Sequence, residues 1–437
     1  MDKVSYSIIN LFNSNRTIVS TGSQEVVQCL QKLFPNSKVE RYPSGQHKSN
    51  WDIPEQWELL SASLKRIKTD EILFTHKTSP LFIAPYSKSI NQIFTKSELS
   101  KITVFDSLNK EEFKYQHRLA YDSNRRLNEV CISIPSKVFE SFEDGENFHL
   151  EVNVKTKPGD LEIFNHTIQG VSRSTVYFLS HYCHSGQIND GLAGVVTCAR
   201  VMERISTEFA NLKYSYNFLA FPETIGSSVF VAEHLSEMKD GLFAIFAEMP
   251  GARSDFRVTT SRRSKTYVDR VVEFVLKESK KNFEKVDFRN GWGNDEMVFD
   301  SPVVGIPSTS IDRAPFNSYH TSGDNLSEFS FEKLEETVDV IIGVIKILET
   351  DYIPSPNYVV PPQLSKFNLY KDWKEDKHFY DYTMSLLDLV SSGKSLFDIA
   401  TSENIPIDFA NNFYTSLSEH RLININDLSA SYTRILF

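Results

Sequence analysis

The sequence predicts an α/β fold: a mainly parallel sheet with helices against both faces, an added β-rich region, and a small helical unit at the end. Three observations carry this. Between about residues 160 and 350, strand-like apolar runs alternate with helix-length amphipathic segments. The runs "TVYFL", "YNFLAF" and "GLFAIFA" are apolar nearly throughout, as strands covered on both faces are. A proline-rich stretch, "IPSPNYVVPP" at 353–362, then separates them from a last group of short helices and reads as a stiff linker.

Bulk properties narrow the class. A chain of 437 residues exceeds one ordinary core, so two or three domains are expected. Its 40% hydrophobic and 24% charged residues fit a globular protein. The net charge of -10 repels phosphate backbones, so no nucleic-acid partner is expected. Cys29, Cys131, Cys183 and Cys198 form no C-x-x-C pair, which fits a reducing compartment rather than a disulfide framework. No apolar run approaches the roughly 20 residues that span a bilayer, and the first 20 residues lack a signal-peptide pattern. A cytoplasmic protein without a membrane partner is the expectation.

In chain order, "SQEVVQCLQKLF" has apolar Val26, Val27, Leu30, Leu33 and Phe34 on one helical face, with Ser23 as cap. "KVERY" follows as a strand, broken by "PSG". From about 50 to 155 the segments "EILFTH", "LFIAPY", "ITVF" and "EVCISI" predict short strands. "FHLEVNVKT" alternates, with Phe148, Leu150, Val152 and Val154 on one side, and "KPGD" turns it into "LEIFNHTI". Beyond 160, strands lead into the helical "GLAGVVTCARVMERI", "GSSVFVAEHL", "KTYVDRVVEFVLKE" and "FEKLEETVDVIIGVIKIL". After the linker come helices near "DYTMSLLDLVSSG", "SLFDIATSEN" and "PIDFANNFYTSLSEH", then a wing-like "RLININD". From Gln363 to Phe437 there are 7 Lys/Arg against 10 Asp/Glu, a balance of -3, and 406–420 holds no Lys or Arg. Protein docking or packing is therefore expected of this unit rather than DNA binding.

Four strand ends carry groups suited to chemistry: "HYCHSGQIND", "FPETIGSS", "FAEMPG" and "SYHTSGDNL". His184, Asp190, Glu248 and His320 are zinc-ligand types that a parallel sheet would gather. Glu223 is placed to carry a proton between water and a leaving amine. Each group also has an ordinary use. Asp190 can cap the helix it precedes, and a strand-end histidine can be a hydrogen-bonded structural residue. Glu223, after Pro222, can favour a helix dipole, and Glu248 can be a surface acid in a turn. Cys183 can be a small buried residue or a thiolate ligand.

At these residues the chain resembles the bacterial aminopeptidase-like proteins with a C-terminal winged helix. These are a branch of the zinc-dependent exopeptidase superfamily, with leucyl aminopeptidases, glutamate carboxypeptidases and glutaminyl cyclases. "YPSGQHKSNWDIPEQWEL", "CHSGQINDGLAG", "PETIGS", "GNDEMVFDSPVVGIP" and "YHTSGDNL" carry the likeness in order. It implies a three-layer peptidase-like core at 1–48 and 156–352, an inserted β-rich domain at 49–155, and a winged helix at 363–437. It also implies His184, Asp190, Glu248 and His320 as metal ligands, with Asp190 bridging where two ions bind. Glu223 would be the general base and Tyr319 the oxyanion partner, with Asp295 and Asp324 orienting the site. "H-Y-C-H" offers both His181 and His184; the gap-free match of "CHSGQIND" to the relatives' C-H-P-S-x-x-N-D favours His184. His181 then becomes a neighbour or substrate contact. Where the superfamily has two adjacent glutamates, Thr224 follows Glu223, so one zinc is expected rather than two.

The implied activity is that of a metallo-aminopeptidase-like hydrolase cutting an amide in a small peptide or aminoacylated small molecule. Arg313 would grip a substrate carboxylate or stand free at the surface, and a homo-oligomer is compatible with this reading. The alternative is a degenerate peptidase-like scaffold that binds sugar, peptide or protein in a surface-polysaccharide or natural-product pathway, a reading that Thr224 favours.

Overall fold

The computed structural model describes residues 3–428, which fall into two compact units divided after Ile342, within the helix Phe331–Thr350. The first unit is built on an eight-stranded sheet. In spatial order its strands are Lys38–Pro43, Asp160–Ile168, Ser215–Phe221, Thr175–His181, Gly241–Ala247, Ser308–Arg313, Phe256–Thr259 and Phe283–Val286. The middle four run parallel, and antiparallel pairs flank them. Their apolar sequences match their setting, since every residue of Ser215–Phe221 is buried. The helix Gly194–Glu208 packs across three of these strands.

Near the N-terminus the helix is Thr21–Leu33. Ser20 caps it, accepting from the Ser23 amide at 3.2 Å, so the expected cap at Ser23 lies one turn too late. Ser20 has the extended backbone that a capping residue needs, while Ser23 is already helical.

The region between the first two sheet strands forms a four-stranded antiparallel sheet, ordered Glu71–Thr75, Gln56–Arg66, Asn147–Lys157, Ile90–Thr95. The expected alternation holds in Asn147–Lys157, where Phe148, Leu150 and Val152 are buried. "LFIAPY" forms no strand, only an isolated bridge from Ile83 to Ile132. Pro85 lacks a ladder donor, and Tyr86 takes a left-handed backbone with φ 63°. Leu64, Phe94 and Phe148 share one hydrophobic cluster with Leu179 and Leu219, so this sheet and the large one have a common core.

The second unit holds helices Lys377–Leu389, Leu396–Ser402 and Ile407–Glu419 around Leu386, Ile399, Phe413 and Leu417. The expected linker is partly strand: Ile353–Pro356 pairs antiparallel with Ile423–Asn426. A two-stranded ribbon consists only of edges, where prolines without an amide donor are tolerated. The expected wing at "RLININD" supplies Ile423–Asn426 of this pair, and residues 429–437 of the expected unit lie outside the described residues.

Candidate functional site

The strand Thr175–His181 has Ser215–Phe221 on one side and Gly241–Ala247 on the other, both later in sequence. Chain progression reverses there, and α/β sheets open a crevice beyond the carboxyl ends at such a point. His181 ends that strand, Glu223 follows Phe221 by two positions, and Glu248 follows Ala247 directly. His320 lies in the loop after Ser308–Arg313. The backbone between His184 and the helix Gly194–Glu208 kinks at Asp190, which is not helical (φ −92°, ψ 80°). Gly191 allows this close fold, because a Cβ there would lie 2.4 Å from the His181 ring and from its carbonyl oxygen.

These elements converge on Asp190. Its Oδ1 lies 3.0 Å from Nε2 of His181 and 3.9 Å from Nε2 of His184, and its Oδ2 lies 2.8 Å from Nε2 of His320. Nε2 of His181 is also 3.6 Å from Oε2 of Glu248, and Nε2 of His184 is 3.5 Å from Oε2 of Glu223. His181, His184 and Asp190 each offer a ligand atom, all within 4.8 Å of one another. Ligands about 2.1 Å from a tetrahedral zinc stand roughly 3.4 Å apart, close to the spacings here. Glu248 Oε2 is buried and has no hydrogen-bond partner, as a group kept for a cation would be. The donor set therefore fits zinc. His181 reaches both Asp190 and Glu248, so the geometry puts it inside the donor set along with His184 instead of leaving it a bystander.

Other residues hold this cluster in place. Asp324 accepts from the amides of Asn189 and Asp190 at 2.9 and 3.0 Å, which fixes the kink. Asp295 accepts from the Thr224 amide at 2.8 Å and the Ser227 hydroxyl at 2.5 Å, and its other oxygen lies 3.5 Å from Nδ1 of His181. Thr224, Met249 and His320 all have positive φ (60°, 44° and 57°), which is costly for a β-branched residue such as Thr224. Two braces were invisible in the sequence. The buried Arg16 donates to the carbonyls of Tyr182 (3.2 Å), His184 and Gln187 (2.8 Å). Glu112 accepts from the Thr321 hydroxyl and the Gly323 amide, the latter at 3.2 Å.

The electrostatics of Asp190 and His184 match the ligand states zinc requires. Glu248, Asp190 and Asp295, by contrast, outweigh burial to hold His181 well above its usual range, and burial raises the Glu248 carboxyl well above its own. Burial alone would raise the Asp190 carboxyl, but His184, His320 and His181 hold it well below its usual range. Burial pushes His184 well down, toward the neutral imidazole that binds metal. Burial raises Glu223 to about 7, and the charges of Asp190 and Asp295 add to the shift. A carboxyl near neutrality can take and release a proton.

The remaining expected residues fall in different places. Tyr319 is half-buried, with its ring stacked on His320 at 3.9 Å and 5.0 Å from that of Trp292. Arg313 is not at the surface, and its guanidinium is engaged by groups of the protein. It is 1% exposed, lies over the Phe256 ring, and donates to the carbonyls of Pro250, Ser254 and Lys333 and to Glu336. Cys183 is buried and accepts from the Glu223 amide at 3.3 Å. A cavity of about 480 Å³ opens beside Glu223 and Thr224, lined also by Trp51, His117, Arg118 and Tyr121 from the inserted region.

Among the described residues, no helix is long and apolar enough to cross a membrane. The chain is 26% identical over 406 residues, 90% of each chain, to a Clostridium acetobutylicum protein named for polysaccharide biosynthesis with an aminopeptidase-like domain. It is similar to a solved Clostridium acetobutylicum structure named as a peptidase (TM-score 0.82, 23% identity, 97% of this chain and 96% of that one). It is also similar to a zinc aminopeptidase from Bacillus subtilis (TM-score 0.57, 15% identity, 78% of this chain and 94% of that one). The scaffold is peptidase-like, with a mixed α/β fold around a mainly parallel sheet. The profile of the family described as "Domain of unknown function (DUF4910)" matches residues 6–351, and the chain belongs to that family.

Proposed function

We propose that the chain is a zinc-dependent hydrolase of amide bonds, aminopeptidase-like, acting on a peptidyl or aminoacyl small molecule. The observation that carries this is Glu223, a half-buried carboxyl raised to about 7, 3.5 Å from His184 in a donor set with His181, Asp190, Glu248 and His320. Bound zinc would supply water acidified enough to act as nucleophile and would polarise the carbonyl under attack. Glu223 would take a proton from the attacking water and return it to the departing amine. Asp190 would be the central ligand, oriented by Asp324, while Asp295 orients His181. Tyr319, stacked on His320, is the candidate partner for the oxygen that gains charge.

The test combines metal analysis with turnover of a panel of aminoacyl p-nitroanilides. Purified protein is expected to hold at least one zinc per chain, and Glu223→Gln to keep that zinc while losing at least ~100-fold in kcat. Unchanged turnover in the variant would remove Glu223 as base. A second reading, a non-catalytic scaffold that binds a saccharide or peptide, draws on Thr224 and on the relative named for polysaccharide biosynthesis. Less than about half an equivalent of tightly held zinc, with no hydrolysis across the panel, would favour it.

A further inference from the structure

We propose that His117, delivered by the inserted β-rich region, hydrogen-bonds the substrate at the scissile carbonyl and stabilises the oxygen that gains charge there. The inference rests on the amide-hydrolase reading above. His117 lines the same cavity as Glu223. Its ring centroid is 5.5 Å from that of His320 and 6.3 Å from that of His184, so it borders the donor set without joining the contacts around Asp190.

Its Nδ1 is buried and has no hydrogen-bond partner. With Nδ1 shut off from the cavity that the residue lines, Nε2 is the ring nitrogen left to donate to a substrate oxygen there.

The position is held with care. The rings of Tyr115 and Tyr121 flank it at 5.8 and 5.7 Å. The Tyr115 amide donates to the His320 carbonyl at 2.7 Å, and the Tyr121 hydroxyl donates to the Glu223 carbonyl at 3.0 Å. Both neighbours of His117 are thus bonded to the backbone of the residues it must work with. A group locked in place relative to the base and the metal ligands is what preorganised stabilisation of a transition state requires.

The experiment uses the full chain in zinc-loaded and cobalt-loaded forms, with His117→Ala and His117→Gln. One probe is the aminoacyl p-nitroanilide panel; the other is the phosphonic acid analogue of leucine, whose tetrahedral oxygens mimic the attacked carbonyl. His117→Ala should lower kcat by ~100-fold with KM within about threefold, and weaken phosphonate binding by a similar factor. Metal content per chain should not change. His117→Gln, which keeps a donor, should recover about tenfold of the loss. Unchanged kcat and phosphonate affinity in His117→Ala would overturn the proposal, as would a loss that tracks lost metal. If the cobalt form's visible spectrum responds to phosphonate in a His117-dependent way while nothing is hydrolysed, the hydrolase reading fails and the contact stands. No phosphonate response from the parent protein would remove both.

Discussion

At the carboxyl ends of the parallel strands, His181, His184, Asp190, Glu248, Asp295 and Asp324 are each at most 2% exposed. Some of their atoms (Glu248 Oε2, Asp295 Oδ2, His181 Nδ1) have no hydrogen-bond partner. In the C-terminal unit the buried polar groups are used differently. Asp351 accepts from the amides of Tyr352 and Phe397, and the Thr383 hydroxyl donates to the Phe379 carbonyl. Ser395 caps its helix by accepting from Asp398. The first arrangement accepts desolvation of charge and sets ionisable groups against one another at 3.0 to 3.6 Å. The second satisfies each of these groups locally and leaves packing to apolar side chains. Substitutions should therefore act oppositely: at the strand ends they remove function and can raise stability, while in the C-terminal unit they lower stability and spare the metal.

The sharpest break would come from Asp190→Ala, which removes the carboxylate at the centre of the candidate donor set and should weaken zinc binding by more than ~100-fold, read by competition with a chromogenic chelator. Retained affinity would place the metal elsewhere. Next, Leu386→Ala opens a cavity in the C-terminal core and should cost about 2–5 kcal/mol in denaturant unfolding of that unit, with zinc content unchanged.

Glu223→Gln tests the sign of the comparison. Glu223 titrates near 7 when folded, above the ordinary glutamate value of about 4.3. A raised carboxyl contributes stability that is full below about pH 4 and lost as pH rises through 7. The metal-free variant should thus match the parent near pH 4 and exceed it by roughly 3–4 kcal/mol above pH 7 in urea unfolding. A less stable variant at pH 8 would contradict the claim that the strand ends carry uncompensated charge. The smallest effect is expected from Ser395→Ala, about 1 kcal/mol lost from the C-terminal unit with hydrolysis untouched.

Much of the first contrast was legible in the sequence because strand ends announce themselves. His181, His184, Glu223 and Glu248 stand where apolar runs stop, and sheet topology brings such ends together. Residues that act across long sequence separations carry no such mark. Arg16 bonds to residues 166 to 171 positions away, and Glu112 to one 209 positions away. His117 sits in a polar stretch with no periodic signal. The strand Gln56–Arg66 was missed because its register shifts between Leu59 and Ser61, which blurs the alternation. Arg313 resembled a surface arginine, since nothing local shows that four acceptors await it.

Arg16 also bears on the chain during synthesis. Its three acceptor carbonyls belong to a loop that leaves the ribosome about 170 residues later, roughly ten to thirty seconds at ordinary elongation speeds. None of these three bonds can form before that loop has been made. The histidine loop can therefore set only when the two distant stretches meet. Completion of the candidate metal centre is then a late, long-range event in folding, not a local one.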